Sequence, residues 1–414
     1  MMSHEKMTSL ELRSVFSLSL VMALRMLGLF MVLPIFALYA KNLEGSTPYL
    51  IGFTMGIYGL TQAICQIPFG TLSDYFDRKK IITIGLIIFI VGSVIAALSH
   101  TIWGMMLGRA LQGAGAVGST IMALIADLTR IEQRTKAMAI SGMTIGGSFS
   151  LAMMLGPLLA SAMQIHGIFW LGAFLSTVAI FLLYWWVPTA PRPTATVRRP
   201  AACPQDPEGS RWTPRTSLGP TMLKILYTHP ELSRLYTGIF FLHAIFTASF
   251  VVIPIALQTF AHLDGNKQWM LYLPIFIGAF CLSIPCMLIA EKKQCVKKIF
   301  CAGIIVLALS EFLFWQYAEN LLLSAVSLLL FFTAFSLLEA FLPSLVSKIA
   351  PPTHRGTALG LYSFSQFFGI FVGGMLGGLL YGSWGLTQVN LFCAALSLLW
   401  LAIAFQMKNP HHST

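Results

Sequence analysis

Runs of about twenty apolar residues, longer and less interrupted than the core of a water-soluble domain tolerates, recur along the whole chain. Twelve can be marked, near 15 to 39, 49 to 71, 81 to 99, 102 to 125, 136 to 162, 167 to 187, 232 to 258, 269 to 290, 298 to 317, 321 to 347, 356 to 382 and 386 to 406. A hydrocarbon core of about 30 Å takes roughly 20 residues of helix to cross, and backbone groups in lipid must bond within their own segment. None of the runs alternates as a lipid-facing strand does. The expected class is therefore an all-α integral membrane protein. Composition agrees, with 57% hydrophobic residues, 10% charged and a mean hydropathy of +0.78.

The net charge of +11 points to topology and not to an acidic or nucleic-acid partner, because the cations sit on alternate connections. Of the 26 Lys and Arg, 22 fall on the side that holds both termini; Lys41 and Lys267 lie opposite, and Arg25 and Arg109 lie inside spans. This imbalance predicts that both termini are cytoplasmic. The first apolar run is too long for a cleaved signal and reads as the first span. The seven cysteines show no metal-like pairing with histidine, so free thiols are expected, with no disulfide framework and no metal site.

One connection differs from the rest. Residues 188 to 229 are rich in Pro and Arg and nearly free of aliphatic runs, which predicts a cytoplasmic linker between a six-helix bundle at 1–187 and another at 230–414. The halves echo each other. "IPFGTLSDYFDRKKI" from Ile67 matches "IPCMLIAEKKQCVKKI" from Ile284, and "RTKAMAISG" from Arg134 matches "RGTALGLYS" from Arg355, at offsets of 217 and 221 residues. Two echoes in register predict a duplicated, pseudo-symmetric architecture like that of secondary transporters.

The loop "GTLSDYFDRKK", with Gly70, Leu72, Ser73, Asp74, Arg78, Lys79 and Lys80 between the second and third spans, resembles the signature of the major facilitator superfamily. "LGRALQGAGA" around Arg109 is similar to that superfamily's basic motif of the fourth span, and "AMMLGPLLAS" resembles the Gly-Pro signature of its antiporters. The runs "LRMLGLFMVLP", "GIYGLTQAICQIPFG", "LTRIEQRTKAMA" and "SLLEAFLPSLVSK" look closer still to the YajR-type branch of drug:proton antiporters, whose further soluble C-terminal domain is not expected in a chain ending at Thr414. The resemblance implies a conformational gate. Asp74 would meet the end of the eleventh span near Thr357 in the outward-facing state, while Arg78 pairs with Asp127. A carboxylate near a helix N-terminus is favoured by about 0.3–1 kcal/mol. The alternative is a solvated loop that only marks topology. Asp77 stands where the superfamily usually has Gly, and a left-handed turn is expected there, which Asp tolerates. Tyr75 stands where a basic residue is usual.

Charges inside the spans carry the expected mechanism, since each costs about 2.5–3.5 kcal/mol on insertion scales. Arg25, Arg109, His243, Glu311 and Glu339 form this set. Tyr58, Gln62 and Gln66 recur every four residues and predict one polar stripe on the second span, with Gln366 expected to face it across a central cavity; the alternative for the glutamines is bonding between helices. Glu339 is the foremost candidate proton carrier and His243 the second, against the alternative of a histidine satisfied by a local partner. Glu311 is expected either on the proton path or beside an arginine. Arg25 and Arg109 are read as counter-charges in proton coupling ahead of holding an anionic substrate.

"GAGAVG" at Gly113–Gly118 has dinucleotide-binding spacing but follows no strand, so it is read as a packing feature within the fourth span. The glycine series at 52 and 56 and at 369 to 382 predicts close helix approach. No phosphate-binding loop or nucleophile elbow occurs, so an enzyme is not expected. The resulting expectation is a proton-coupled exporter of small amphipathic molecules, a monomer without cofactor, its partners being substrate, protons and lipid but not nucleic acid. The alternatives are a proton symporter or facilitator for a metabolite, and a membrane sensor that no longer transports.

Overall fold

The computed structural model describes residues 7–188, 229–350 and 355–407. The expected linker at 188–229 lies almost wholly outside them. The described residues form helices and no strand, apart from one isolated bridge between Glu44 and Thr101. The helices are α1 (Ser9–Phe30), α2 (Leu33–Ala40), α3 (Pro48–Tyr75), α4 (Arg78–Leu98), α5 (Ile102–Ala114), α6 (Gly118–Asp127) and α7 (Arg134–Trp185) in the first half. In the second half they are α8 (Pro230–Thr259), α9 (Gln268–Lys292), α10 (Val296–Tyr317), α11 (Leu321–Ile349), α12 (Arg355–Trp384) and α13 (Leu386–Phe405).

The expected fifth and sixth spans, 136–162 and 167–187, are two helices within α7, parted at Gln164, whose φ of 55° and ψ of −177° leave the helical region, so α7 crosses twice. Eleven apolar helical stretches, one of them doubled, thus make twelve crossings. Two other expected spans, the first and the fourth, differ in detail. The first span breaks into α1 and α2 at Met31 and Val32, because Pro34 has no N–H to continue the ladder. Gly156, of the Gly-Pro signature in α7, lets the two chains meet there; a Cβ on it would lie 3.1 Å from the Met31 Cα. The fourth span breaks inside "GAGAVG", between α5 and α6, where Gly115 has φ −72° and ψ 49°. The motif is therefore both a packing feature and an interruption of the helix.

The first and seventh spans are central, with 83% and 89% of their apolar stretch buried in protein against at most half for the others. Around them the halves face each other. α3 lies along α12, α2 along α8, and α7 along α9. With Arg78, Lys80 and Arg134 marking one face as basic, the contacts between halves gather toward the other. Lys41 Nζ donates to Gln258 Oε1 at 2.6 Å, and α3 and α12 touch backbone to backbone from Pro48 and Gly378 to Gly59 and Phe367. On that same face Tyr39 bonds His166, whose Nδ1 reaches the Ala97 carbonyl at 2.6 Å and ties three connections together. At mid-depth Phe149 of the first half meets Phe246 and Phe335 of the second, with centroids 5.6 and 5.4 Å away. Toward the basic face a Cβ on Gly142, Gly146, Gly147 or Gly360 would meet nothing within 4 Å.

Candidate functional site

In the first half, four helices bring the polar groups into one buried chain. Arg25 on α1 donates through Nη2 to Gln62 Oε1 at 2.8 Å and to the Gly115 carbonyl at 2.9 Å. That carbonyl has no helical partner because the fourth span is interrupted there. Tyr58 donates to the same Gln62 oxygen at 3.1 Å, and its ring lies 5.0 Å beneath the Arg109 guanidinium. Arg109 donates to Gln112 at 3.0 Å, and Gln112 donates to Ser93 Oγ at 2.9 Å. Both arginines are fully buried, at 0% and 1% exposure. Among the described residues neither pairs with a carboxylate. The faces of Phe89 and Tyr58 stand in for one, each worth about 0.5–2 kcal/mol. Arg25 Nε and Nη1 and Arg109 Nε find no partner. Gln66, the last of the expected stripe, stays apart with its Oε1 unbonded.

Gln366 does not face that stripe. Its Nε2 lies 2.9 Å from His243 Nε2 and 3.1 Å from Glu339 Oε1, joining α8, α11 and α12 within the second half. With the amide so placed, His243 Nε2 accepts and the ring proton sits on Nδ1, on the side of the Ile239 backbone one turn earlier. Glu339 Oε2 is unbonded and lies 3.8 Å from His243 Nε2. One proton is thus within reach of either group, and the Gln366 amide nitrogen contacts both at once. The Glu339 side chain keeps 28% of its surface exposed, the only acid among the expected set that does so. Phe335, 5.7 Å from the His243 ring, also touches Phe149 of the first half, so the acid borders the aromatic contact between halves.

Glu311 does not sit beside an arginine. It is buried between α8, α10 and α13, with Ser249 Oγ 2.5 Å from Oε1 and Asn390 Nδ2 donating to Oε2 at 2.6 Å.

The gate loop lies on the basic face. Arg78 Nε meets Asp127 Oδ2 at 2.7 Å, as the loop signature implies, and Nη2 lies 3.5 Å from Asp74 Oδ1. Asp74 is 67% exposed, and its expected partner near Thr357 lies outside the described side chains. Gly70 meets only Ser119 at ordinary contact distance. Asp77 takes φ −60° and ψ 120°, not the left-handed turn expected, and caps α4 by accepting from Lys79 N at 2.8 Å. A capping role explains Asp here better than turn tolerance. Lys79 is not a free topology marker, since its Nζ donates to the Val187 carbonyl at 2.6 Å.

Sequence reasoning missed Glu11. Its Oε1 accepts from Arg130 N and Nε at 2.9 and 3.0 Å, and its Oε2 accepts from Thr8 N at 2.8 Å, clasping α1 to the end of α6. The one local signal was its place three residues after Thr8, a capping box. Gln112, Ser93 and Asn390 were missed as well; only Gln112, three residues from Arg109, had a signal in its spacing.

Twelve crossings in two facing halves, each with its own buried polar cluster, define a membrane transporter. The chain belongs to the Major Facilitator Superfamily, whose sequence profile matches residues 18–294 and 268–414. It is 42% identical over 411 residues to the inner membrane transport protein YajR of Escherichia coli, covering 99% of this chain and 86% of that one. It is 28% identical over 166 residues to the class B tetracycline resistance protein of Escherichia coli, covering 39% of this chain and 40% of that one. The crystal structure of a D-xylose–proton symporter superposes with a TM-score of 0.73 at 16% identity, covering 97% of this chain and all of that one, and is a likeness of fold.

Proposed function

We propose that the protein is a proton-coupled antiporter that exports small amphipathic molecules, with Glu339 as the group that exchanges a proton for substrate. The observation that carries this is the geometry at Glu339. It is a carboxyl deep in the second bundle, 28% exposed, with one oxygen unbonded and a histidine 3.8 Å away, and among the described residues no Lys or Arg holds it as a structural pair. Such a group can load a proton or face a cationic substrate, but does not favour both at once. The aromatic rings beside it suit the apolar part of an amphipathic ligand. The tetracycline resistance relative adds support for efflux, and the YajR relative for an inner membrane location.

Residues 1–187 rock against 230–414. In the conformation described, the face away from the basic residues is closed and Asp74 is exposed. When the basic face closes, Asp74 takes up its contact with the α12 end. The positive-inside distribution makes the basic face cytoplasmic, with both termini there. The protein acts as a monomer, needs the proton gradient and no cofactor, performs no covalent chemistry and binds no nucleic acid.

The test is a panel of substrates in proteoliposomes with an imposed pH gradient and a lumenal pH dye. The expected result is that a lipophilic amine or similar amphipath dissipates the gradient with wild type and fails to do so with Glu339→Gln. If no substrate moves against its own gradient, antiport is wrong. If Glu339→Gln keeps proton-coupled flux, the assignment of the carrier is wrong.

A further inference from the structure

Glu311 has no part in the exchange described above, yet it is 1% exposed in the middle of the second bundle and none of the ion pairs among the described residues includes it. The groups that meet it are neutral. Ser249 comes from α8 and Asn390 from α13, and among the described residues the titratable neighbour is Cys393, whose Sγ lies 3.9 Å from the Ile245 carbonyl that Ser249 also contacts. An ionised carboxylate here would be stripped of water without a cation to replace it, which is the costliest state for a buried acid.

The hydrogen bonds accommodate the neutral acid. Ser249 has one hydroxyl proton and two acceptors in reach, the Ile245 carbonyl at 2.8 Å and Glu311 Oε1 at 2.5 Å. The Ile245 carbonyl already accepts within the helix and from Cys393 Sγ, so the absence of a cation beside a sealed carboxyl, and not a count of bonds, favours the neutral form. If Glu311 is ionised, Ser249 gives its proton to Oε1 in place of Ile245. If Glu311 is a carboxylic acid, its O–H donates to Ser249 Oγ, Ser249 donates to Ile245, and Asn390 donates to the second carboxyl oxygen. That arrangement makes three bonds in series with the atoms where they stand.

We infer that Glu311 is a second proton-binding site, separate from Glu339, that holds its proton as a neutral acid and joins α8, α10 and α13 through the Ile245–Ser249–Glu311–Asn390 chain. Nothing in this depends on the direction of transport or on the substrate. Its consequence is a division of labour between buried acids: Glu339 is open to the cleft and half-bonded, whereas Glu311 is sealed and bonded at both oxygens.

The test is infrared difference spectroscopy on the purified full chain in nanodiscs at mildly alkaline pH. The wild type should show the C=O stretch of an un-ionised carboxyl that is lost in Glu311→Gln and kept in Glu339→Gln. Asn390→Ala should shift the frequency of that stretch by removing one of its bonds, and this variant keeps the proposal testable if Glu311→Gln does not fold. Glu311→Gln, which replaces the acid's O–H with an amide N–H, should retain more thermal stability than Glu311→Ala. Loss of a carboxylate band and not a carboxyl band in Glu311→Gln, or no shift in Asn390→Ala, would overturn the inference.

Discussion

Gly52→Ala is the perturbation whose effect follows most directly from the geometry. Gly52 sits one turn inside the start of α3, on the closed side of the cleft. A Cβ placed there would lie 2.6 Å from the Gly378 Cα of α12 and closer still to the Gly374 carbonyl. Carbon atoms in contact need about 3.5–4.0 Å, so the two helices must part by roughly 1 Å. The obstacle is backbone on both sides, and no side chain can swing away. Overpacking of this kind costs about 1–3 kcal/mol. The seam joins the two halves and lies within neither bundle, so that cost falls on the outer-closed conformation and not on folding. A differential of this size shifts the conformational equilibrium by about 5- to 150-fold. Spin labels at Asn42→Cys and Asp264→Cys, in a background without the seven native cysteines, report the distance across that face by double electron–electron resonance. The longer-distance population should grow in Gly52→Ala while melting temperature and elution volume hold. Superimposable distance distributions would refute the claim that this glycine seam sets the closed state.

Asp74→Asn removes the charge from an exposed carboxylate, so thermal stability should stay within about 0.5 kcal/mol of wild type; the same pair of labels should nonetheless report a gain in the outer-closed population, because the partner contact at the α12 end is lost, and an unchanged distribution would sink the gate assignment. Glu11→Ala leaves Arg130 and the Thr8 N–H without their acceptor and should destabilise the first bundle by about 1–3 kcal/mol, read as a lowered melting temperature in detergent. Gly156→Ala, forced against the Met31 backbone, should slow transport by constraining the break between α1 and α2; a rate equal to wild type would count against that break being tightly packed.

Much of the architecture was legible because lipid leaves the chain few options. Span length and span number follow from hydropathy, and the Arg78–Asp127 pair follows from a loop signature. The interruptions were harder. Pro34 does mark a break, but nothing local tells that Gly115, within a run of small residues, surrenders its carbonyl to an arginine 90 positions earlier. The parting of the fifth and sixth spans was legible, since the break at Gln164 falls between the apolar runs at 136–162 and 167–187. Partnerships among buried polar groups were least legible. Gln366 read as a companion of Gln62 on periodicity alone, yet it bonds to His243 and Glu339, because which face a helix presents is decided by packing that single-sequence patterning does not report. Glu311 and an arginine looked a natural couple by charge, but depth in different bundles keeps them apart.

The two halves are electrically unlike. Among the described residues, the first buries Arg25 and Arg109 with no acid beside them, and the second holds Glu339 with no Lys or Arg paired to it. The molecule therefore carries a standing dipole across its own cleft, and when one half rocks against the other that dipole turns within the membrane field. Moving a full charge through 100 mV is worth about 2.3 kcal/mol, so even a fractional displacement makes the balance between conformations responsive to voltage as well as to the pH difference. Protonating Glu339 removes one pole, so the gain of a single proton changes both how strongly the halves attract and how the transporter feels the potential it works against.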